Sequence, residues 1–300
     1  MKIQSLSISV PSPTTKGKCI NNCKFCCSLS HLENKYENNF PLIDELNKKE
    51  KLYKEDYIKR LQVARDKNVD TLIFTGEIEP LQNKLFIQKV SEINNSFGKD
   101  KFKNLEIQTT GVFLNDKNLE WLRYDVGITT INLSVSNIWN NNDNLRIIGC
   151  PDKLRFDLTE VCNSIKKWDF NLRLSVNMLF NKVSDLSLFK RCRDLGANQV
   201  TLRKMWISDK NTKQDKWLLD NKLKDEEYQK YIDFIKTKGR KLYKLNTGSD
   251  VYSFMNMSIV MDRDCMSDKD IIDEDSIKYI ILRENCRLYT HWDEPGSLWF

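Results

Sequence analysis

The sequence KCINNCKFCCS, residues 18–28, holds four cysteines within a short stretch. Cys19, Cys23 and Cys26 are separated by three residues and then by two, and Cys27 follows directly. Sulfur ligands select zinc, copper(I) or iron–sulfur clusters. Three thiols this close together therefore predict a metal centre, and the rest of the chain is interpreted outward from this loop.

The choice of metal depends on how many further ligands the chain offers. A structural zinc site takes four ligands, usually as two separated pairs, and no second cysteine pair follows this loop. An iron–sulfur cube held by three cysteines would leave one iron open to another ligand. At this point a zinc site completed by Cys27 or His31, a disulfide and a chance grouping all stay open. The other cysteines and the second histidine are isolated: Cys150, Cys162, Cys192, Cys265, Cys286 and His291.

The loop resembles the cluster-binding loop of the radical SAM superfamily, whose pattern is Cys-x3-Cys-x-aromatic-Cys, and Phe25 occupies the aromatic position. The resemblance implies a [4Fe–4S] cluster bound by Cys19, Cys23 and Cys26. It also implies that the open iron chelates the amino and carboxylate groups of S-adenosylmethionine. Cys27 is interpreted as a small buried residue, because adjacent cysteines rarely serve one cluster.

A second motif, TGEIEPL at residues 75–81, follows the next predicted strand and resembles the Gly-x-Gly-Glu-Pro form of the superfamily's Gly-Gly-Glu-Pro motif. Ile78 stands where a glycine is usual. The resemblance assigns Glu79 as an acceptor for the methionine ammonium, with Glu77 as a weaker candidate. The alternative is a strand-to-helix turn with a proline at the helix start. The matching residues are Gly76, Glu79, Pro80 and Leu81.

Further cofactor contacts are expected where later strands end, since parallel strands bring their carboxyl ends to one edge. Ser134 and Asn177 are the candidates for the ribose of S-adenosylmethionine. Arg203 is the candidate for a carboxylate or a substrate anion. Each of them would otherwise be a polar residue at the rim. The complete set of strand-end candidates is Thr109, Thr110, Ser134, Ser136, Asn177 and Arg203.

Strand and helix patterns alternate six times between Ile3 and Trp206, which predicts parallel βαβ units. The predicted fold is α/β, a partial (β/α)6 TIM-like barrel with a curved parallel sheet, over residues 1–206. Residues 207–300 are predicted to be a C-terminal extension packed on the barrel. Two segments rich in polar residues, 137–151 and 208–224, are predicted to be loops.

Composition limits the classes of protein that this chain can belong to. With 40% hydrophobic residues and a net charge of +6 over 300 residues, it is globular and has no clear nucleic-acid footprint. No signal peptide or long apolar stretch is evident, so no membrane association is expected. Nine cysteines without a secretory signal point to a reducing cytoplasm, and an exposed cluster would require low oxygen.

The resemblance implies reductive cleavage of S-adenosylmethionine to methionine and a 5′-deoxyadenosyl radical, which abstracts hydrogen from a substrate. The expected partners are a small-molecule substrate, nucleotide-like or anionic, and a one-electron reductant such as flavodoxin or ferredoxin. The alternatives are modification of a peptide or protein and a non-catalytic zinc-binding module. Cys265 and Cys286 could carry an auxiliary cluster or a quenching thiol, although no second cluster is favoured.

Overall fold

The computed structural model describes residues 2–13, 18–30, 50–180, 186–208, 210–245, 248–262, 276–292 and 297–299. His31 and Cys265, which were considered as a zinc ligand and as an auxiliary-cluster ligand, lie outside these residues. The strands are β1 Lys2–Ser9, β2 Thr71–Thr75, β3 Asn104–Thr109, β4 Thr130–Val135, β5 Asn171–Asn177, β6 Gln199–Arg203, β7 Arg240–Lys244, β8 Asp250–Phe254, β9 Met257–Asp262, β10 Ser276–Leu282 and β11 Leu288–Tyr289.

Helices alternate with the first six strands and continue after them. The described α-helices are α1 Cys27–Ser30, α2 Glu50–Asp66, α3 Lys84–Ser96, α4 Asp116–Trp121, α5 Asn141–Ile148, α6 Leu158–Lys167, α7 Leu188–Asp194, α8 Lys213–Asn221 and α9 Asp225–Lys238. A 3-10 turn, Pro80–Asn83, precedes α3. The predicted βα alternation is therefore present.

All of the strands belong to one sheet, in the order β11-β10-β1-β2-β3-β4-β5-β6-β9-β8-β7. The run from β10 through β1–β6 to β9 is parallel throughout. The predicted partial TIM-like barrel with a parallel sheet is confirmed, and among the described residues the sheet does not close. Two of its parallel strands, β9 and β10, come from the C-terminal segment and flank β6 and β1.

The two faces of the sheet carry different chemistry because side chains alternate along each strand. On β3, Leu105 and Ile107 pack into the main hydrophobic core. The intervening Glu106 and Gln108 make hydrogen bonds to side chains on neighbouring strands. Ordinary TIM barrels fill the interior with branched aliphatic residues. Here the face of the sheet opposite the core is lined by polar side chains.

Both segments predicted to be loops contain a helix, so those two predictions are wrong. In residues 137–151, Asn140 is the N-cap of α5, and its side chain accepts a hydrogen bond from the Asp143 N–H. In residues 208–224, α8 begins with a capping box between Thr212 and Asp215. Capping supplies partners for the first N–H groups of a helix, and it stabilises helices in segments that are rich in polar residues.

Candidate functional site

The cysteine loop follows β1 and lies at the edge of the sheet where the parallel strands end. Burial is the main cause that raises the pKa of the Cys23 thiol well above its usual value, and the charges of Cys26 and Cys19 add to it. The pKa values of Cys19 and Cys26 are also raised, mainly by burial. The Cys26 N–H donates to the Cys23 oxygen at 3.2 Å, so these two cysteines lie in one turn of the loop. None of the described cysteines forms a disulfide.

Hydrogen-bond donors surround two of the three sulfurs. The Cys19 sulfur accepts from the backbone N–H groups of Asn21 and Glu79, and these contacts lower its pKa against the effect of burial. Ser28 and Leu29 supply comparable contacts to Cys26. Donors directed at sulfur stabilise the thiolate form, which is the form that binds iron. The crowding of three thiols would be relieved by a cationic iron core between them.

A single zinc ion and an iron–sulfur cluster require different arrangements of their ligands. Within the described part of the chain, no three or more His, Cys, Asp or Glu side chains converge as the ligands of one metal ion do. A zinc site requires that convergence, with every ligand about 2.0–2.3 Å from the metal. In a cube each cysteine binds a different iron, so the three sulfurs do not need to meet at one point. Cys19, Cys23 and Cys26 are thiols on one loop, and their assignment as the ligands of a cluster stays a prediction.

Phe25, at the aromatic position of the loop, holds the loop by packing. It contacts two apolar groups, one containing Leu145 and Ile148 and the other containing Ile147 and Leu179. The first of these groups also contacts Cys23. Phe25 therefore ties the ligand loop to α5 and to the segment after β5.

The TGEIEPL segment turns sharply where β2 ends. Gly76 has a φ of +140°, and a Cβ there would lie 2.8 Å from the Val10 nitrogen, so only glycine permits this approach to the end of β1. Glu79 precedes the 3-10 turn, with Pro80 at its first position. The segment therefore forms a strand-to-helix turn, and it also lies beside the cysteine loop.

Glu79 is buried at 3% exposure and is held by the end of β3. The Thr109 hydroxyl donates to its Oε1 at 2.5 Å. The Thr110 N–H and hydroxyl donate to its Oε2 at 2.9 and 2.8 Å. Burial raises the pKa of Glu79, and these donors oppose the rise. Each carboxylate oxygen has two lone pairs, so these three hydrogen bonds do not use every acceptor site of Glu79. The contact with the methionine ammonium remains a prediction.

The ends of β4 and β5 bring three of the predicted residues together. The Asn177 amide donates to the Ser136 hydroxyl at 3.0 Å and to the Ser134 hydroxyl at 3.4 Å. Asn177 is fully buried, yet its Oδ1 has no hydrogen-bond partner among the described residues. A buried acceptor without a partner is costly, and the ribose contact assigned to Asn177 stays a prediction.

Arg203 ends β6 beside Asn177 in the register of the sheet. Its Nε is buried and has no hydrogen-bond partner in the described part of the chain. The neighbouring strand places Asp262 opposite it in register, although the side chain of Asp262 is not described. Arg203 is therefore at the predicted edge, and its ligand remains a prediction.

The structure adds residues that the sequence interpretation missed. Gln82, which was not among the predicted residues, accepts a hydrogen bond from the Ile20 N–H of the cysteine loop, and Thr110, a predicted strand-end residue, accepts one from the Asn21 amide. Gly149, at the end of α5, lies so close to the loop that a Cβ would be 2.5 Å from the Asn22 oxygen. No local sequence signal predicted these contacts, because each joins segments that are far apart in sequence.

The segment after β10 also reaches this edge. The Arg283 guanidinium lies over the rings of Tyr289 and Trp292, at 5.7 and 5.4 Å, and 3.8 Å from Glu77. Burial raises the pKa of the adjacent Glu284 to about 7, with a further contribution from the charge of Glu77. The C-terminal segment therefore contributes charged groups beside the TGEIEPL turn.

Searches against family models and curated proteins found no match. Solved structures do match. The structure of anSMEcpe with bound AdoMet has a TM-score of 0.51 at 16% identity, covering 79% of this chain and 60% of that one. With the Kp18Cys peptide also bound, the TM-score is 0.51 at 16% identity, covering 78% and 59%. HydG, a maturase of the [FeFe]-hydrogenase, has a TM-score of 0.52 at 12% identity, covering 78% and 49%.

These neighbours are radical SAM enzymes, and at such low identity the likeness shows a shared fold. The chain spans about three fifths of the length of anSMEcpe and about half that of HydG. It therefore shares with these structures a partial-barrel fold with a mostly parallel sheet, as the alternation of strand and helix patterns predicted. None of the helices that the structure describes is long and apolar enough to cross a membrane.

Proposed function

We propose that this chain is a radical SAM enzyme. The observation that carries the proposal is the grouping of Cys19, Cys23 and Cys26 against the Glu79 turn, at the carboxyl edge of a parallel partial barrel. The fold alone would not assign this chemistry, because one fold hosts many functions. The donor set and its position together support it.

In this proposal the chain holds a [4Fe–4S] cluster through the three cysteines and keeps the fourth iron open. When bound, the cluster supplies the electron that cleaves S-adenosylmethionine reductively. The apolar packing of Phe25 and Cys23 against α5 excludes water from one side of the loop. Backbone N–H groups at Cys19 offset the negative charge of the sulfur.

The S-adenosylmethionine contacts follow the strand ends. Asn177 Oδ1 is the acceptor for a ribose hydroxyl, since it is buried and lacks a partner among the described residues. Ser134, half-buried at the same strand edge, is the second ribose contact. Arg203 binds a carboxylate, of S-adenosylmethionine or of the substrate, as a charge-assisted donor. Glu79 shapes the turn whose polar groups face the methionine ammonium.

The substrate in this proposal is a small polar molecule. Polar side chains cross the interior face of the sheet: Arg173 donates to Glu106 at 2.6 Å and to Gln199 at 2.8 Å. Arg173 keeps 29% of its side chain exposed despite these contacts. An interior of this kind suits a hydrogen-bonding, anionic substrate better than an apolar one.

A peptide substrate is the second candidate. It is supported by the structure of anSMEcpe, which shares the fold and was solved with AdoMet and a peptide bound. In either case the proposal includes a one-electron reductant of the flavodoxin or ferredoxin kind and a reducing, cytoplasmic environment. Small-molecule and peptide substrates can be compared in the assay described next.

The test is anaerobic reconstitution with iron and sulfide, followed by dithionite and S-adenosylmethionine. We expect about four irons per chain and formation of 5′-deoxyadenosine, measured by mass spectrometry. Cys23→Ala is expected to lose at least ~90% of the 5′-deoxyadenosine, because outer and inner ligand changes typically cost 10–100-fold. Cys27→Ala is the matched control and is expected to retain iron and activity.

Other outcomes would change the assignment. Zinc in place of iron, with no cleavage of S-adenosylmethionine under any reductant, would overturn the proposal and favour a structural zinc module. Equal losses in Cys23→Ala and Cys27→Ala would contradict the three-cysteine ligand set. Deuterium transfer from a labelled substrate to 5′-deoxyadenosine would then separate small-molecule from peptide substrates.

A further inference from the structure

The two peptide groups on either side of Cys19 are held by one side chain. The Ile20 N–H donates to the Gln82 Oε1 at 2.7 Å. The Gln82 Nε2 donates to the Lys18 oxygen at 3.2 Å. Gln82 therefore bridges the residue before Cys19 and the residue after it, across a sequence separation of more than 60 residues.

The chemistry of the contacts fixes the orientation of the Gln82 amide. A backbone N–H requires an acceptor and a backbone carbonyl requires a donor, so only one of the two amide orientations satisfies both groups. A side chain of another length or type could not meet both groups in this way. Gln82 is thus specifically matched to the backbone at Cys19, whereas a general packing residue would show no such match.

Gln82 also belongs to the turn that contains Glu79. Its own N–H donates to the Glu79 oxygen at 2.9 Å, within the 3-10 turn. The next residue, Asn83, is buried and donates to the Pro11 oxygen at 2.9 Å. The turn is therefore rigidly attached to the end of β1, and Gln82 extends from it to the cysteine loop.

The same region supplies the donors to the Cys19 sulfur. These are the N–H groups of Asn21 and Glu79, one from each of the two segments that Gln82 joins. On the side of the loop, Asn21 is further held by a 2.8 Å hydrogen bond from its amide to the Thr110 hydroxyl. If the two segments separated, both N–H contacts to Cys19 would lengthen.

We infer that Gln82 is a positioning residue for Cys19, which fixes the sulfur relative to the Glu79 turn and its backbone donors. This inference rests on the proposed function in that Cys19 is taken as a cluster ligand. Hydrogen bonds to cysteine sulfur are one of the determinants of the reduction potential of a cluster. Gln82 would therefore influence both how firmly the cluster is held and how easily it is reduced.

The experiment compares three substitutions of Gln82 with a control substitution of another glutamine. Gln82→Ala removes both contacts, and Gln82→Met removes them while keeping the length of the side chain. Gln82→Glu keeps an acceptor for Ile20 but places a carboxylate oxygen against the Lys18 carbonyl. Gln62→Ala is the control, because Gln62 is exposed on α2 and contacts only Asp66 in the described part of the chain.

Three readouts are measured. In the metal-free protein, hydrogen exchange over residues 18–23 is expected to be faster in Gln82→Ala and Gln82→Met than in wild type. In the reconstituted protein, iron loss to a chelator is expected to be about tenfold faster, as for other residues that orient a metal ligand. The midpoint potential of the cluster should become more negative, because weaker N–H···S contacts stabilise the reduced state less. In Gln82→Glu, exchange and iron loss should lie between those of wild type and Gln82→Ala, whereas the added negative charge should by itself make the potential more negative.

The midpoint potential of the cluster distinguishes a positioning role from an effect on general stability. A substitution that only loosened the fold would lower the melting temperature and leave the midpoint potential unchanged. The inference would be overturned if all three Gln82 variants had the same hydrogen exchange, iron retention and midpoint potential as wild type. If wild-type protein binds no iron, the proposed function fails, and the exchange experiment still decides whether Gln82 holds the loop. If Gln82→Ala does not fold, Gln82→Met and Gln82→Glu decide between the outcomes.

Discussion

At the scale of single residues, Glu79 shows how a motif residue can serve structure and site together. Its carboxylate accepts three hydrogen bonds from Thr109 and Thr110 while it is almost entirely removed from water. A buried charge persists only when it is well paired with donors. Glu79 therefore joins the end of β2 to the end of β3, beside the cysteines.

We expect Glu79→Gln to destabilise the metal-free protein by roughly 1–3 kcal/mol. The amide can direct its oxygen to the Thr110 N–H and its nitrogen to the Thr109 hydroxyl, but hydrogen bonds to a charged acceptor are then replaced by weaker neutral ones. The free energy of unfolding, measured in urea, checks this expectation. Glu120→Gln on α4 is the control, because Glu120 is exposed and surface changes stay within about 0.5 kcal/mol. Equal stabilities of the two variants would show that the Glu79 contacts contribute little.

Glu284 predicts a pH dependence. Burial and the charge of Glu77 raise its pKa from 4.5 to about 7, against the opposing effect of Arg283. The folded protein therefore retains this proton at pH values where the unfolded chain has lost it. The stabilisation is fully present below the unfolded pKa of 4.5 and is lost as the pH rises through about 7.

Glu284→Gln should be more stable than wild type at pH 8, by roughly 1–3 kcal/mol, and close to wild type near pH 4.5. The reason is that the amide carries no charge to be desolvated. Urea unfolding of metal-free protein at the two pH values measures the difference, with Glu120→Gln again as control. If the difference in free energy of unfolding between Glu284→Gln and wild type were the same at pH 4.5 and pH 8, this carboxyl would not titrate between those pH values.

At the scale of elements, the end of α5 determines where the cysteine loop can lie. Gly149 ends the helix with a φ of +62°. A Cβ at this position would lie 2.5 Å from the Asn22 oxygen and 2.7 Å from the Asn22 carbonyl carbon. The Asn22 and Lys24 N–H groups donate to the Gly149 and Ile147 carbonyls. Helix and loop are therefore in direct backbone contact.

Gly149→Ala is expected to cost roughly 2–5 kcal/mol, combining the left-handed backbone with the displacement of the loop. Gly127→Ala is a matched control, because Gly127 also ends a helical segment with a positive φ, of +79°, but no atom lies within 4 Å of its added Cβ. The control should cost only about 1–2 kcal/mol. Melting temperature and iron content after reconstitution are the measurements. Similar losses of iron in both variants would contradict a specific contact between α5 and the loop.

At the scale of the whole molecule, the C-terminal segment completes the sheet. β10 pairs with β1 and β9 pairs with β6, both in parallel, so the two outer strands of the predicted six-strand core are covered. The segment also brings Arg283 to the edge of the sheet that carries the cysteines. The barrel and the extension thus share one sheet.

A fragment of residues 1–206 is expected to aggregate or to remain partly unfolded, because β1 and β6 would expose unpaired edges. Size-exclusion chromatography and circular dichroism, with the full chain as reference, measure this. A fragment ending at residue 262 retains β9 and should behave better than the shorter one. A monomeric 1–206 fragment with a cooperative unfolding transition would show that the core folds without the extension.

The success of sequence interpretation varied with the range of the interaction. The six core strands were predicted because they are short segments of high β-propensity, and β4 is an example, with Ile131, Leu133 and Val135 alternating with polar residues. Helix α8 was missed, because its sequence is polar and its start depends on a capping box. The fourth position of the TGEIEPL motif, Ile78, is buried at 8% exposure, which its departure from the glycine pattern did not reveal.

The sequence by itself determined the cysteine spacing, the TGEIEPL turn and the βα alternation. These are properties of residues close together in the chain, which act through local backbone geometry and ligand chemistry. Only the tertiary structure decided that Glu79 pairs with Thr109 and Thr110, that Gln82 bridges Lys18 and Ile20, and that β10 covers β1. Such contacts depend on the packing of distant segments, and a polar side chain shows its partner only once folding has removed water from around it.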